Sequence, residues 1–300
     1  MCGIVGLHLR NPALYPQLGG LLTTMLCEMQ ERGADSAGVA VYGDPSWSPP
    51  GHATVSVVDS PLPALELSTA LARLLPDGSR ADVVDASPTL VVHAPVEVGV
   101  LREAVTAAAP EALLVGFGED VAVLKGVGRP RELADRFGLA SAQGWQGVGH
   151  TRMATESAVT PGGCHPYAVG PDQCLVHNGS FSNHATVRRQ LLARGVQFDS
   201  ENDTEVGARF VADRLAAGLD IETALKELCA TFDGFYTLLV SHRDCFAVVR
   251  DAIACKPAVI AETADWVAMA SEYRALTGLP GIEDALVYEP EPERIYVWTR

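Results

Sequence analysis

Features that would assign a protein to a membrane or nucleic-acid class are missing from this sequence. It has no uninterrupted run of about 18 apolar residues, the length that a membrane-spanning helix needs. It also lacks a charged leader followed by an apolar region. Lys and Arg number 22 against 37 Asp and Glu, which gives a net charge of −15 without a basic cluster. Neither nucleic acid nor an anionic membrane is therefore expected as a partner.

The cysteines show no pattern of a disulfide framework or a zinc site. There are seven of them, an odd number, and no CxxC pair occurs. Mostly buried thiols in a reducing compartment explain such cysteines best. We therefore expect a cytoplasmic protein with no metal site.

The order of apolar segments predicts an α+β fold built from antiparallel sheets. The chain of 300 residues is 48% hydrophobic and 20% charged, a globular composition. Residues 16–31 have helical spacing, whereas IVGLHL, CLVHNGSF and the hairpin YTLLVSHRDCFAVVRD read as strands. Runs of strands and pairs of helices indicate two packed antiparallel sheets with helices outside. A Pro/Gly/Ser-rich break precedes an inserted α/β segment at about 48–145, where we find no chemical motif.

The opening MCGIVG places a cysteine directly after the initiator methionine. If Met1 is removed, Cys2 carries a thiol on its Cβ and a free amine on the adjoining Cα. An amino terminus titrates near 7.7–8.0, so this amine can act as the general base for its own thiol. Cys2 is thus a candidate nucleophile, although a small apolar residue entering a strand gives the same pattern.

Polar residues at the ends of other predicted elements would complete such a site. The side-chain amide of Asn178 and the backbone N–H of Gly179 offer two donors for a developing oxyanion. Arg152 suits an amino-acid carboxylate, and Asp203 suits its ammonium. Each has a structural alternative: HNG is a common turn, Arg152 fits a surface ion pair and Asp203 fits a helix cap. Their occurrence together favours the chemical interpretation.

A set of motifs resembles the class II glutamine amidotransferases, which are N-terminal-nucleophile enzymes. The motifs are MCGIVG, RGADSAG, GHTRMATESA, HPY, VHNGSFSN and SENDTEV, and they span residues 2 to about 206 with a gap from about 45 to 145. The resemblance implies one domain over residues 2–300 with a four-layer α/β/β/α sandwich. It also implies Cys2 as nucleophile, Asn178 and Gly179 as oxyanion hole, and glutamine held by Arg152, Thr155 and Asp203. Arg32 and Asp35 would support the loop beside Cys2.

The same resemblance implies that the ammonia acceptor lies on another polypeptide. The sequence has no phosphate loop, dinucleotide fingerprint or iron–sulfur cysteine cluster. It resembles the glutaminase-like subunits of glutamate-synthase-like and N-methylglutamate synthase complexes. We therefore expect no cofactor in this chain, and FMN and iron–sulfur clusters on a synthase partner. Two alternatives stay open: an amidohydrolase acting on another amide, and a catalytically silent regulatory subunit.

Overall fold

The computed structural model describes residues 2–153 and 159–300. The chain there forms short 3₁₀ turns and the following strands: β1 (Gly3–Leu9), β2 (Ser36–Tyr42), β3 (Ala53–Val58), β4 (Asp82–Ala86), β5 (Thr89–Ala94), β6 (Leu113–Gly118), β7 (Val121–Val127), β8 (Gln146–Arg152), β9 (Tyr167–Gly170), β10 (Gln173–Phe181), β11 (Gly234–His242), β12 (Cys245–Arg250), β13 (Val259–Glu262), β14 (Trp266–Ala270), β15 (Leu286–Tyr288) and β16 (Tyr296–Thr299). The α-helices are α1 (Leu18–Glu28), α2 (Ala64–Leu71), α3 (Val98–Ala108), α4 (Pro130–Phe137), α5 (His184–Ala193), α6 (Asp203–Ala216) and α7 (Ile221–Thr231).

Two antiparallel sheets pack face to face and carry helices on their outer sides. The first sheet has the order β15-β13-β14-β1-β8-β2-β7, and the second has the order β16-β12-β11-β10-β9. Helices α1 and α4 pack on the first sheet, while α5, α6 and α7 cover the second. The predicted four-layer α/β/β/α sandwich is therefore confirmed.

The alternation along β1 explains how one strand contributes to two cores. Val5, Leu7 and Leu9 point to the helix side, where Leu22 of α1 and its neighbours pack. Ile4 belongs to the core between the two sheets. Side chains on alternate faces follow from the two-residue period of a strand.

Side chains of the second sheet pack directly against a glycine of the first sheet. A Cβ built on Gly6 of β1 would overlap Leu239 and would lie 2.8 Å from the ring of Phe246, both on the second sheet. A larger residue at this position would have to displace these two side chains. Gly6 thus leaves room for Leu239 and Phe246 against the middle of β1.

A third, four-stranded sheet lies within the inserted segment. Its order is β4-β5-β3-β6, and α2 and α3 pack on it to form a separate core that includes Val55, Leu67, Leu101 and Phe117. After β6 the chain returns to the first sheet, because β7 pairs with β2. The separate sheet thus occupies Ala53–Gly118, less than the predicted insertion at about 48–145, and the domain boundary itself stays a prediction. No helix in the described part of the chain has the length and apolarity needed to cross a membrane.

Candidate active site

Cys2 lies at the start of β1, where its backbone is held from two directions. Its carbonyl oxygen accepts hydrogen bonds from Nε of Arg32 at 2.9 Å and from Nδ2 of Asn178 at 3.1 Å. Its Sγ, which is partly exposed, lies 3.9 Å from the carbonyl oxygen of Met153. The backbone of Cys2 is therefore held next to the side-chain amide of Asn178.

An ion pair fixes Arg32 in turn. Its Nη1 lies 2.7 Å from Oε1 of Glu272. The other carboxylate oxygen of Glu272, Oε2, lies 2.9 Å from Nε of Arg274. The Arg32 hydrogen bond is the main cause that lowers the pKa of Glu272. The structure thus places Arg32 against Cys2, where the sequence predicted a supporting residue. The sequence analysis did not assign a role to Glu272.

Asp35 joins two elements near the site through its backbone. Its N–H donates to the carbonyl of Arg152 at 3.1 Å, and its carbonyl accepts from Gly128 at 2.9 Å. It therefore ties the start of β2 to the end of β8. Thr155, the other predicted residue in this region, lies outside the described residues.

Asn178 and Gly179 follow each other near the end of β10. Both amide hydrogens of buried Asn178 point toward the first sheet, because Nδ2 contacts the Cys2 carbonyl and Oγ of Ser271 at 3.2 Å. A substrate oxyanion would have to share or replace one of these acceptors. Gly179 has φ of +141°, and a Cβ there would overlap the carbonyl oxygen of Phe235. Glycine is therefore required at this position.

Arg152, Gly179 and Asp203 line one cavity of about 890 Å³. Arg152 is the buried last residue of β8, and Asp203 is the first residue of α6. Asn202 caps α6 by accepting from the N–H of Thr204 at 2.9 Å, which leaves the Asp203 carboxylate to accept from the N–H of Phe181 at 2.9 Å. The structure thus brings the two predicted amino-acid clamps to a single cavity.

Other walls of this cavity come from elements that the sequence analysis did not connect with the site. Strand β6 of the inserted segment contributes Leu113, Leu114, Val115 and Phe117. Cys2 is not among the described residues that line it. The predicted clamps and the nucleophile therefore lie on adjoining, not identical, surfaces.

Three buried histidines form a cluster behind Asn178. Nε2 of His150 lies 3.1 Å from Oδ1 of Asn178, and its ring stacks on His165 with centroids 4.0 Å apart. The Thr204 hydroxyl lies 3.0 Å from Nε2 of His165 and 2.9 Å from Nδ1 of His177. Burial lowers the pKa of His150 to about 3 and that of His177 to about 4, and it also lowers the pKa of His165. All three rings are thus neutral at pH 7.

A buried lysine also lies at the cavity wall. Nζ of Lys125 donates to the carbonyls of Cys164 and Pro166, each at 3.0 Å, and stands 5.1 Å from the ring centre of Tyr167. Burial lowers its pKa to about 8. Lys125 therefore anchors the segment that precedes β9. No motif in the sequence singles out Lys125.

The described residues offer no arrangement typical of a metal site. No group of three or more His, Cys, Asp and Glu side chains within residues 2–153 and 159–300 could hold a metal ion. Each of the seven cysteines is a free thiol. The polar groups of the site are thus a thiol, an amide, a guanidinium and a carboxylate.

Comparison with known proteins gives a consistent assignment. Residues 150–278 match a family model described as a glutamine amidotransferase domain. The chain is 46% identical over 299 residues to the glutamine amidotransferase-like protein GlxB of Rhizobium meliloti, covering 99% of this chain and 98% of that protein. It is also 37% identical over 127 residues to the isomerizing glutamine–fructose-6-phosphate aminotransferase of Thermus thermophilus, covering 42% of this chain and 21% of that protein.

A solved structure shares the fold at low sequence identity. Glutamine phosphoribosylpyrophosphate amidotransferase from B. subtilis, complexed with ADP and GMP, superposes with a TM-score of 0.63 and 18% identity. The match covers 99% of this chain and 47% of that chain, so our chain spans about half the length of that relative.

Proposed function

The chain belongs to the class II glutamine amidotransferase family, and on that basis we propose that it hydrolyses glutamine through Cys2 and passes the ammonia to a separate synthase subunit. One observation carries the proposal. The carbonyl oxygen of Cys2 accepts from Arg32 and from the side-chain amide of Asn178, so the residue that bears the thiol is in direct contact with an amide donor. The cavity that holds Arg152 and Asp203 adjoins them.

The reaction would proceed through a thioester. Once Met1 is removed, the α-amine of Cys2 takes the thiol proton, and the sulfur attacks the carboxamide carbon of glutamine. The amide of Asn178 and the N–H of Gly179 would stabilise the oxyanion. The C–N bond then breaks as the α-ammonium returns its proton to the leaving ammonia. Water hydrolyses the γ-glutamyl thioester, which releases glutamate and restores the thiol.

The amino-acid end of glutamine would be held by charge. Arg152 can donate two parallel N–H···O bonds to the α-carboxylate, a geometry that lysine does not provide. Asp203 can accept from the α-ammonium, and Thr155 would line the same pocket. These assignments come from the family resemblance, and the shared cavity of Arg152 and Asp203 supports them.

The separate synthase is part of the same proposal. The chain covers 98% of an amidotransferase-like relative but only 21% of a longer aminotransferase. This is the pattern we expect if glutaminase and synthase units are on different polypeptides. By resemblance to glutamate-synthase-like complexes, the partner would carry FMN and iron–sulfur clusters. A cytoplasmic location likewise stays a prediction from the sequence.

The test is to treat the purified protein with a diazo-ketone analogue of glutamine and to measure N-terminal peptide mass and ammonia release. We expect loss of Met1, one adduct on Cys2 and glutaminase activity that Cys2→Ala abolishes. Cys255→Ala is the matched control because Cys255 is an exposed free thiol. Persisting ammonia release in Cys2→Ala would refute the nucleophile assignment. Glutamine binding without turnover would favour a silent regulatory subunit, and turnover of another amide alone would favour a different amidohydrolase.

A further inference from the structure

We propose that His150 is a positioning residue that fixes the side-chain amide of Asn178 by donating its Nε2–H to Oδ1. The inference rests on the proposed function, in which this amide stabilises the oxyanion. The contact is the 3.1 Å separation between the two atoms, both in buried side chains. His150 would touch neither substrate nor thiol and would act only through Asn178.

The surroundings of Asn178 allow one orientation of its amide. The Cys2 carbonyl oxygen, 3.1 Å from Nδ2, has no proton and can only accept. A flipped amide would bring two carbonyl oxygens together there. Oγ of Ser271 already accepts the N–H of Ile4 at 2.9 Å and lies 3.2 Å from the same Nδ2. The nitrogen must therefore face Cys2, and Oδ1 must face His150.

This orientation dictates the tautomer of His150. A carbonyl oxygen only accepts hydrogen bonds, so Nε2 of His150 must carry a proton. A neutral imidazole has a single N–H, which leaves Nδ1 unprotonated. Burial of the ring is the main cause that lowers the pKa of His150, and the side chain of His177 and the charge of Arg152 act in the same direction, against the hydrogen bonds to Asn178 and to the His177 backbone. His150 is thus a neutral donor with one defined direction.

Loss of this donor would weaken the orientation of the amide without removing it. Without the imidazole, Oδ1 of Asn178 would be buried without a hydrogen-bond donor on that side. The native orientation of the amide would then no longer be favoured there over the flipped one. A flipped amide presents oxygen, not N–H, toward the thiol, and such a site repels an oxyanion. The expected effect is on the chemical step and not on glutamine binding, because Arg152 and Asp203 are unchanged.

The tautomer can be measured without any reference to activity. We would record ¹⁵N–¹H correlation spectra of the full chain labelled on histidine, at pH 7.5. His150 is identified as the signal set that is missing in His150→Gln. A protonated Nε2 with an unprotonated Nδ1 is the expected result. A protonated Nδ1 with an unprotonated Nε2 would overturn the proposal, whether or not the protein hydrolyses glutamine.

The positioning role is tested by kinetics on two variants. Glutamine at position 150 can place an N–H near that of the imidazole, whereas leucine cannot donate. We expect His150→Leu to lower kcat for glutamine hydrolysis by about tenfold to a hundredfold. This decrease should not exceed the decrease that removal of one oxyanion donor causes. KM should change by less than about threefold, and His150→Gln should recover most of the loss, since hydrogen-bond donation is restored.

Rates are divided by the fraction of Cys2 that the diazo-ketone labels, so that inactive protein does not count. His93→Leu is the matched control, because it removes another buried imidazole from β5 of the inserted sheet. Equal losses in His150→Leu and His150→Gln, or no loss in either, would overturn the positioning role. An unlabelled and inactive wild-type protein would instead refute the proposed function, and the tautomer measurement would then decide this inference alone.

Discussion

Lowering the pH from 7.5 to 5.0 is expected to destabilise the folded protein through the buried imidazoles of His150 and His177. Burial holds their pKa values at about 3 and about 4, well below the ordinary value of 6.5. Arg152 and Lys256 oppose a proton on His150 and His177 respectively, whereas Asp203 favours one on His177. The folded protein thus keeps both rings neutral at pH 5.0, while the unfolded chain protonates them. The stabilisation that the two neutral rings provide is therefore complete above pH 6.5, and it is lost as the pH falls toward their pKa values in the folded protein.

The magnitude follows from the linkage between protonation and unfolding. At pH 5.0, 1.5 pH units below the unfolded-state pKa, each ring favours the unfolded chain by about 2 kcal/mol. Two rings give about 4 kcal/mol, which is a large part of the roughly 5–15 kcal/mol that stabilises ordinary domains. His165, whose pKa burial also lowers, adds to the loss in the same direction.

Urea unfolding followed by tryptophan fluorescence at both pH values measures this loss. The wild type is compared with His150→Gln, because the two proteins have the same carboxylates. The effect of carboxylate titration on stability therefore cancels in the difference between them. We expect the free energy of unfolding to fall by about 2 kcal/mol less in His150→Gln than in wild type between pH 7.5 and 5.0, since one titrating group is absent. An identical pH dependence in the two proteins would refute the reasoning, because it would mean that His150 protonates as readily in the folded protein as in the unfolded chain.

Three substitutions test the rest of the site. Asn178→Ala should lower kcat about a hundredfold or more, measured as glutamate release per labelled thiol, and an unchanged rate would place the oxyanion donor elsewhere. Gly179→Ala should destabilise the fold by roughly 1–3 kcal/mol or more, because of its positive φ and the overlap with Phe235. Its control in thermal unfolding is Gly218→Ala, where φ is +87° but no atom lies within 4 Å, and an equal loss in both would show that the overlap contributes nothing. Arg152→Lys should raise KM for glutamine about tenfold or more by losing bidentate contact, and an unchanged KM would remove Arg152 from the carboxylate site.

Most of the fold could be predicted from apolar periodicity. The alternation or apolar runs of β1, β10, β11 and β12 predicted strands that the structure confirms. The strands β4, β9 and β15 were not predicted. β9 and β15 have four and three residues, and such short runs do not establish a period. The turn of the predicted hairpin consists of Arg243 and Asp244, since His242 pairs with Cys245.

The sequence predicted which residues belong to the candidate site, but it did not predict which residues contact one another there. The motifs identified Cys2, Arg152, Asn178 and Asp203, and the structure brings Cys2 to Asn178 and Arg152 to Asp203. Their partners depend on which strands become neighbours, a property that local spacing does not contain. Lys125 is an example: a single lysine at the end of an apolar strand normally reaches solvent, yet here it is buried against two carbonyls of a distant segment.

The order of the first sheet explains why these contacts converge on one side chain. β14, β1 and β8 are adjacent, and they bring Ser271, Cys2 and His150 to neighbouring positions. Asn178 reaches them from β10 of the opposite sheet and contacts all three. Cys2 and Asn178, the proposed nucleophile and oxyanion donor, thus belong to different sheets. Their relative position depends on how the two sheets pack, and Gly6 leaves room in that packing for Leu239 and Phe246. The core between the sheets is therefore part of what positions the chemistry.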